Sequence, residues 1–290
     1  MKILNFGSVN IDYVYEVPHF VQAGETLPST KLQTFIGGKG CNQSVALARS
    51  GMQVYHAGCI GEDGIWIKKQ LDTWGVNTSL LRVAETVTGH AIIQVSPSGE
   101  NAIVLHGGAN HSVTSDQIDQ TLAVFEKGDI LLLQNEINSI PDIISKASAK
   151  QMTIFFNPAP MTKEVLQYPL DKIDTFIVNA IEGKGLTGMA EPEEILRDMN
   201  TKYPDAATIL TLGAKGAISD KAGILQKVKA LNVTPVDTTA AGDTFIGYFL
   251  GEWASTGLVE EALDLANRAA AKCVVKKGGA TSIPDRDELT

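Results

Sequence analysis

The feature that most constrains this fold is a series of short, mostly apolar segments in the second half of the chain, each followed by a helical pattern. Four of them are Ile130–Leu133, Thr153–Phe156, Thr175–Val178 and Ala207–Leu212. Strands that are apolar throughout are typical of a parallel sheet with both faces buried. Their alternation with helices indicates βα units. The sequence therefore predicts the α/β class, with a doubly wound, mostly parallel sheet.

The same patterns predict the remaining elements of this body. Two more strands are expected at Lys2–Phe6 and Val54–Cys59, and short ones near 217–219 and 224–228. Helices are expected over 63–74, 115–127, 141–150, 191–203, 242–255 and 258–276, the second of them capped by Thr114 or Ser115.

Two stretches depart from the βα pattern. Residues 13–36 contain Pro18, Gly24 and Pro28, and they alternate apolar and polar residues as two short strands would. Residues 89–105 resemble a β-hairpin around a turn at 97–100. These stretches either pair into a small separate sheet or add two strands to the main one.

Composition excludes several classes of function. The chain has 290 residues and a net charge of −9, which disfavours a broad nucleic-acid surface because such a surface needs clustered Lys and Arg. Its three cysteines are widely spaced, so neither a disulfide framework nor a zinc site is expected, and a reducing cytosol fits. We expect no signal peptide and no membrane span, because no apolar run approaches about 18 residues.

The segment Gly37–Gln43 combines three glycines with Lys39 and Asn42 just before a helical pattern. Glycines let the backbone approach a ligand closely. Lys39 can offset the charge of a phosphate, and Asn42 can bond a hydroxyl. The segment is neither a P-loop nor a GxGxxG fingerprint, and such glycine clusters also form plain turns.

A second glycine-containing loop, residues 236–242, leads into a helix whose first turn carries Asp243. Free backbone N–H groups and the positive end of a helix favour an anion such as a phosphoryl group there. Asp243 would then lie where a base could take a proton from an attacking hydroxyl. Alternatively, Asp243 is an ordinary first-turn or capping acid.

Further polar side chains follow predicted strands. Asn10 and Asp12 share one face of an extended segment and could bond adjacent hydroxyls, and Glu136 follows a buried strand. Asn179 and Glu182 could hold a hydrated Mg²⁺. Each of these residues also has a plain interpretation as a turn or cap residue.

With these motifs, the chain resembles the ribokinase-like (PfkB) family of carbohydrate kinases over nearly its whole length. The residues that carry the resemblance are the segments Gly37–Gln43 and Asp237–Phe245. The resemblance implies a single domain over residues 1–290. Its fold is a Rossmann-like three-layer αβα sandwich with a small β-sheet lid, formed by about 13–36 and 89–107. It also implies a homodimer through the lid.

The resemblance further implies residue roles. Asp243 is the base, and the N–H groups of Ala241, Gly242 and Asp243 form the anion hole. The sugar contacts are Asn10, Asp12, Gly38, Lys39, Asn42 and Glu136. Asn179 and Glu182 organise Mg²⁺ through water, and the ATP side includes Thr211, Gly213, Gly216 and Asn267. An activating monovalent cation, K⁺, is implied at Asp237, Thr239, Cys273, Lys276, Gly278 and Ser282.

The expected activity is an ATP-dependent sugar kinase, and the Gly-Gly-Lys-Gly-x-Asn-Gln form with the Asn10–Asp12 pair favours ribose. A kinase of deoxyribose, fructose or a nucleoside is the alternative. A nucleoside would need Tyr13, Tyr15 or Phe35 to stack its base. A non-catalytic sugar-binding protein and a dehydrogenase are further alternatives, although Asp243 is present and GxGxxG is absent.

Overall fold

The structure, a computed structural model, describes residues 1–289. Its main sheet has nine strands in the order β13-β12-β11-β10-β9-β8-β1-β4-β5. The β11–β12 and β12–β13 pairs are antiparallel, and the other pairs are parallel. The strands are β1 (Ile3–Phe6), β4 (Val54–Ile60), β5 (Asn77–Val83), β8 (Ile130–Gln134), β9 (Thr153–Asn157), β10 (Thr175–Asn179), β11 (Ala207–Thr211), β12 (Ala217–Lys221) and β13 (Ile224–Val228).

A second, four-stranded sheet is formed by two insertions into the main body, one after β1 and one after β5. It consists of β2 (Asn10–Glu16), β3 (Lys31–Gly37), β6 (Gly89–Val95) and β7 (Asn101–His106), in the order β3-β2-β6-β7. The β2–β6 pair is parallel and the other two pairs are antiparallel. The two irregular stretches therefore pair with each other and do not extend the main sheet.

Within residues 1–289, eight α-helices cover the two faces of the main sheet. They are α1 (Lys39–Arg49), α2 (Ile65–Thr73), α3 (Ser115–Leu122), α4 (Ile140–Ala149), α5 (Ala180–Thr187), α6 (Pro192–Lys202), α7 (Ala241–Thr256) and α8 (Val259–Cys273). Strand side chains alternate between two cores. Ile130 and Leu132 pack with α1, α2, α7 and α8, whereas Leu131 and Leu133 pack with α3–α6. The predicted three-layer α/β fold is confirmed.

Helices α1 and α7 approach each other closely on one face of the sheet. A Cβ atom added at Gly247 would lie 2.3 Å from Ala46 Cβ, so only glycine fits at this contact. The contact brings the first turns of both helices together at the carboxyl ends of the strands.

Some predicted boundaries are wrong, for local reasons. The helix expected to reach residue 127 ends at Leu122, because turns at 121–125 fold the chain back and bury Phe125. The helix expected to reach residue 276 ends at Cys273, since the Val274 carbonyl accepts the N–H groups of Val236 and Asp237. The strand β5 was not predicted.

All three cysteines are free and buried. Among residues 1–289, none of the helices has both the length and the apolar character needed to cross a membrane.

Candidate active site

A cavity of about 860 Å³ lies between the carboxyl ends of the central strands and the second sheet. Its floor includes Glu136, Asn179 and Thr211, each at or just after a strand end. Its opposite wall comes from inward-facing residues of the second sheet, including Asp12, Val14, Phe35, Ala91 and Ile93. Ligands bind in the crevice at this end of an open α/β sheet.

Asp243 reaches this cavity from the first turn of α7. The helix begins after Ala240, which has a left-handed backbone with φ 60°. Ala241 donates its N–H to the Thr238 carbonyl at 3.3 Å. The N–H groups of Gly242 and Asp243 have no acceptor among residues 1–289, and the space beside the Gly242 Cα is open. The helix therefore presents two free donors to an anion.

Two side-chain amides from α1 hold the Asp243 carboxylate. Asn42 donates Nδ2–H to Oδ2 at 3.0 Å, and Gln43 donates Nε2–H to Oδ1 at 2.9 Å. Asp243 is only 7% exposed. Hydrogen bonds to a charged acceptor are stronger than neutral ones, so these amides both orient the carboxylate and offset its burial. Asn42 Oδ1 is buried without a partner and can accept from a ligand hydroxyl.

Asn10 and Asp12 lie on the cavity side of β2, as their spacing predicts. Asn110 donates to Asn10 Oδ1 at 2.7 Å and so fixes that amide. Burial raises the pKa of Asp12 to about 6, and the nearby Glu136 carboxylate adds to the shift. A Cβ at Gly37, on the adjacent strand β3, would lie 2.1 Å from Asp12 Oδ2, so any larger residue there would displace this carboxylate.

Glu136 joins the end of β8 to the glycine loop. Its Oε2 accepts from Ser8 Oγ at 2.6 Å and from the Lys39 N–H at 2.9 Å. Gly38, with φ 92°, brings the loop backbone against the Ser8 carbonyl. Burial raises the pKa of Glu136, although the Lys39 ammonium and these hydrogen bonds oppose the shift.

The Lys39 ammonium lies among three carboxylates. Asp243 raises its pKa most, burial opposes the shift, and Glu136 and Glu182 add to it. Lys39 therefore stays protonated and carries a positive charge between the two ends of the cavity.

The Asn179–Glu182 pair forms a capping box at the start of α5. Asn179 Oδ1 accepts the N–H groups of Ile181 and Glu182, and Glu182 Oε2 accepts the Asn179 N–H. Glu182 also accepts from Asn157 Nδ2 at 3.1 Å. Burial raises the pKa of Glu182 against these hydrogen bonds. The pair thus has a structural role, and it still borders the cavity.

The four residues expected on the ATP side do not all share the cavity. Thr211 lines it, whereas Gly213 starts an exposed 3₁₀ turn. Gly216 is buried with φ 98°, and a Cβ there would lie 1.9 Å from the Val228 carbonyl oxygen. Asn267, on α8, donates to the Lys229 carbonyl at 2.6 Å and so holds the chain that leaves β13.

The residues expected to bind a monovalent cation lie on two adjoining loops, 236–240 and 273–282. Asp237 accepts the N–H groups of Thr239 and Gly278 at 2.9 and 3.1 Å. Burial alone would raise the pKa of Asp237, but these hydrogen bonds outweigh it and lower the pKa. Cys273 Sγ lies 3.1 Å from Ser282 Oγ. The Lys276 side chain instead turns away to Glu288.

Several residues of the site were missing from the sequence prediction. The missing residues each donate a hydrogen bond to a predicted one: Ser8 to Glu136, Asn110 to Asn10, Asn157 to Glu182 and Gln43 to Asp243. Asn157 follows a strand and Gln43 belongs to the glycine motif, so both had a signal; Asn110 had none. Conversely, only Phe35 of the three expected aromatic residues lines the cavity, because Val14 and Glu16 face it and Tyr13 and Tyr15 alternate away.

The fold and site define a kinase of small hydroxyl compounds, and comparison with known proteins gives the family. The chain belongs to the pfkB family of carbohydrate kinases, whose model matches residues 1–286. It is 36% identical to a ribokinase of Haemophilus influenzae, over 97% of this chain and 95% of the relative. It is 31% identical to a deoxyribokinase of Salmonella typhimurium, over 100% and 97%.

A solved structure shows the same likeness. The Arabidopsis thaliana ribokinase complexed with ribose and ATP superposes with a TM-score of 0.87 at 30% identity, covering 99% of this chain and 97% of that one. The predicted family and enzyme class, a phosphotransferase acting on an alcohol group, are therefore confirmed.

Proposed function

We propose that this kinase transfers the γ-phosphoryl group of ATP to D-ribose, giving ADP and ribose 5-phosphate. The observation that carries the proposal is one cavity in which Asp243, at an open helix N-terminus, shares space with Asp12 and Glu136. Relatives named as ribokinases cover almost the whole chain, and one of them is complexed with ribose and ATP. These relatives favour ribose over deoxyribose, fructose or a nucleoside.

In the proposed reaction, Asp243 accepts the proton of the sugar 5-hydroxyl. That oxygen forms a bond to the γ-phosphorus while the bond to the ADP oxygen breaks. The free N–H groups of Gly242 and Asp243 stabilise the charge on the phosphoryl oxygens in transit. Lys39 adds a positive charge between the sugar and the phosphates. Asn10, Asp12 and Glu136 hold the remaining hydroxyls of the sugar.

We extend the proposal to Mg²⁺, which neutralises phosphate charge when bound. The residues fit, because Glu182 is a buried carboxylate at the cavity wall and Mg²⁺ in kinases keeps several waters. Both Glu182 oxygens already accept hydrogen bonds from Asn179, Oε2 from its backbone N–H and Oε1 from its Nδ2–H, which favours contact through water over direct ligation. Activity that survives complete removal of divalent cations by EDTA would contradict this part.

For the monovalent cation, the donor set is loop backbone with the single carboxylate of Asp237. Residues 1–289 contain no group of three or more His, Cys, Asp or Glu side chains suited to a metal. Carbonyl oxygens with one carboxylate suit K⁺, and its role would be to fix the loop before Ala240. Equal turnover in K⁺ and in tetramethylammonium would contradict this assignment.

The second sheet is proposed as the lid and as the homodimer contact. Its inner residues line the cavity, and the outer face carries Leu32, Ile92 and Val104, which are 52%, 41% and 66% exposed. Contiguous exposed apolar residues of this kind mark interaction surfaces.

A substrate panel tests the sugar. With ATP, Mg²⁺ and K⁺, kcat/KM is measured for ribose, 2-deoxyribose, fructose and adenosine, with product identified by mass spectrometry. We expect ribose to give the highest kcat/KM and a product that carries one phosphate. Phosphorylation of adenosine or deoxyribose in preference to ribose would overturn the assignment.

A further inference from the structure

A hydrogen-bond network of buried amide side chains lies directly behind Asp243. Gln43 and Asn5 are fully buried, and Gln134 and Asn157 are nearly so. Gln43 Nε2 lies 2.9 Å from Asp243 Oδ1 and 3.4 Å from Asn157 Oδ1, while Gln43 Oε1 accepts from Gln134 Nε2 at 2.6 Å. Buried polar groups are costly unless their hydrogen bonds are made, and of these four amides only Gln134 Oε1 lacks a partner among residues 1–289.

Backbone carbonyls at both ends of this network fix the orientation of its amide groups. Asn5 donates to the Gly40 carbonyl at 2.7 Å, so its Oδ1 must face Gln134, which donates to it at 2.9 Å. At the other end, Asn157 donates to the Ile177 carbonyl at 2.9 Å, so its Oδ1 faces Gln43. A carbonyl oxygen can only accept. The amide of Gln43 therefore has one permitted orientation, with its N–H group toward Asp243.

From this geometry we infer that Gln43 is a positioning residue for the catalytic base. It holds Asp243 Oδ1 in place, and the buried amides of Asn5, Gln134 and Asn157 keep the Gln43 amide from turning over. The inference rests on the proposed function, because it concerns how Asp243 acts as the base. Asn42 differs from Gln43 in that it also borders the cavity, whereas Gln43 does not.

Gln43 also joins the two halves of the site. The N–H group that holds Asp243 lies next to Asn157, and Asn157 donates to Glu182 at the start of α5. The amides of Gln43 and Asn157 thus link two carboxylates. One is Asp243, which is expected to take the proton, and the other is Glu182, which is expected to lie near the phosphates. Their relative position therefore depends in part on Gln43, a core residue that does not border the cavity.

Two substitutions of different chemistry test the inference. Gln43→Met keeps similar bulk and removes the N–H donor, and Gln43→Glu replaces the donor with a second carboxylate. We expect kcat with ribose to fall about tenfold or more for Gln43→Met, and further for Gln43→Glu, because a charge-assisted hydrogen bond is lost. KM for ribose should stay within about threefold, since Gln43 does not reach the cavity.

The pH profile separates positioning from general damage to the fold. Loss of a donor favours the protonated carboxyl form, so the acidic limb of the kcat profile should move to higher pH, most for Gln43→Glu. Gln117→Met is the matched control, since Gln117 is a buried amide on α3 that is bonded to the Gly58 carbonyl, and α3 packs on the opposite face of the sheet from α7. It should lower the melting temperature and leave kcat and the limb unchanged.

Gln134→Met provides an independent arm if the Gln43 variants do not fold. It removes the side chain that orients Gln43 and leaves the Gln43–Asp243 pair itself, so a smaller loss of kcat in the same direction is expected. Folded Gln43 variants with kcat within twofold of the native protein, or a limb shift equally large in Gln117→Met, would overturn the inference. An Asp243→Asn variant with near-native turnover would instead overturn the proposed function.

Discussion

At the scale of single residues, the proposed sugar end of the cavity is lined by carboxyl groups that are largely buried. Burial raises the pKa of Asp12 to about 6 and raises that of Glu136 as well. The Asp12 carboxylate receives no hydrogen bond within the described part of the chain, and Asp12 lies on β2 facing the cavity. A carboxylate without hydrogen bonds from the protein is suited to accept hydrogen bonds from two hydroxyl groups of a ligand.

Sugar affinity is therefore expected to depend on pH. The ionised form of Asp12 accepts hydroxyl hydrogens, so the dissociation constant for ribose should rise as pH falls through about 6, well above the range of an ordinary aspartate. Titration calorimetry with ribose between pH 8 and 5 measures this. Asp12→Asn should bind more weakly at pH 8 and lose most of the dependence; constant affinity in the native protein would refute the role.

The raised pKa of Asp12 also makes the stability of the folded protein depend on pH. A carboxyl whose folded pKa is raised contributes most stability below its unfolded pKa of 3.8, and that contribution is lost as pH rises through about 6. We expect Asp12→Asn to have a higher melting temperature than the native protein at pH 8 without sugar, and no such advantage at pH 4. Calorimetric melting at both values is the check.

At the scale of elements, the site depends on how close α1 and α7 come. Asn42 and Gln43 are on α1 and Asp243 is on α7, so both hydrogen bonds to Asp243 cross the helix contact at Gly247. A wider spacing would lengthen both bonds together.

Gly247→Ala should therefore harm activity from a buried position that does not line the cavity. The added Cβ meets Ala46 Cβ and the α1 backbone, which cannot turn aside. We expect a loss of about 1–3 kcal/mol in the free energy of unfolding, as for other overpacked cores, together with a lower kcat. Urea unfolding and steady-state kinetics are the measurements.

Gly185→Ala is the control for this substitution. It adds the same methyl to helix α5, but there it meets the flexible side chain of Met161. A Gly247→Ala protein with native kcat would show that the spacing of α1 and α7 does not set the position of Asp243.

Some features of these elements can be predicted from the sequence, and others cannot. Continuous apolar runs such as Ile130–Leu133 predicted the parallel strands, because burial on both faces leaves no alternation. The glycine loop and Asp243 were predicted from local chemistry. The Gln43–Asn157 link was not, since the two residues are 114 positions apart and meet only through the sheet order. The early end of α3 depends likewise on where Phe125 is buried.

At the scale of the whole molecule, the outer face of the second sheet is the surface to test. Ile92 and Val104 pair across β6 and β7, and both point away from the cavity. If this sheet is the dimer contact, Val104→Glu should shift the chain toward monomer, because it buries a charge in an apolar interface. Light scattering coupled to size-exclusion chromatography measures the mass.

Val83→Glu is the matched control for the dimer test. Val83 is 46% exposed at the edge of the main sheet, outside the second sheet. A native protein that is already monomeric, or a dimer that survives Val104→Glu, would contradict the proposed contact.

The most direct test of the central claim is the paired measurement of ribose binding and turnover in Asp243→Asn. Asparagine keeps the shape of the side chain and cannot accept the proton. We expect a ribose dissociation constant within a few-fold of the native value and a kcat lower by at least about 10²-fold, the scale of a general base. Turnover near the native rate, with binding intact, would contradict it.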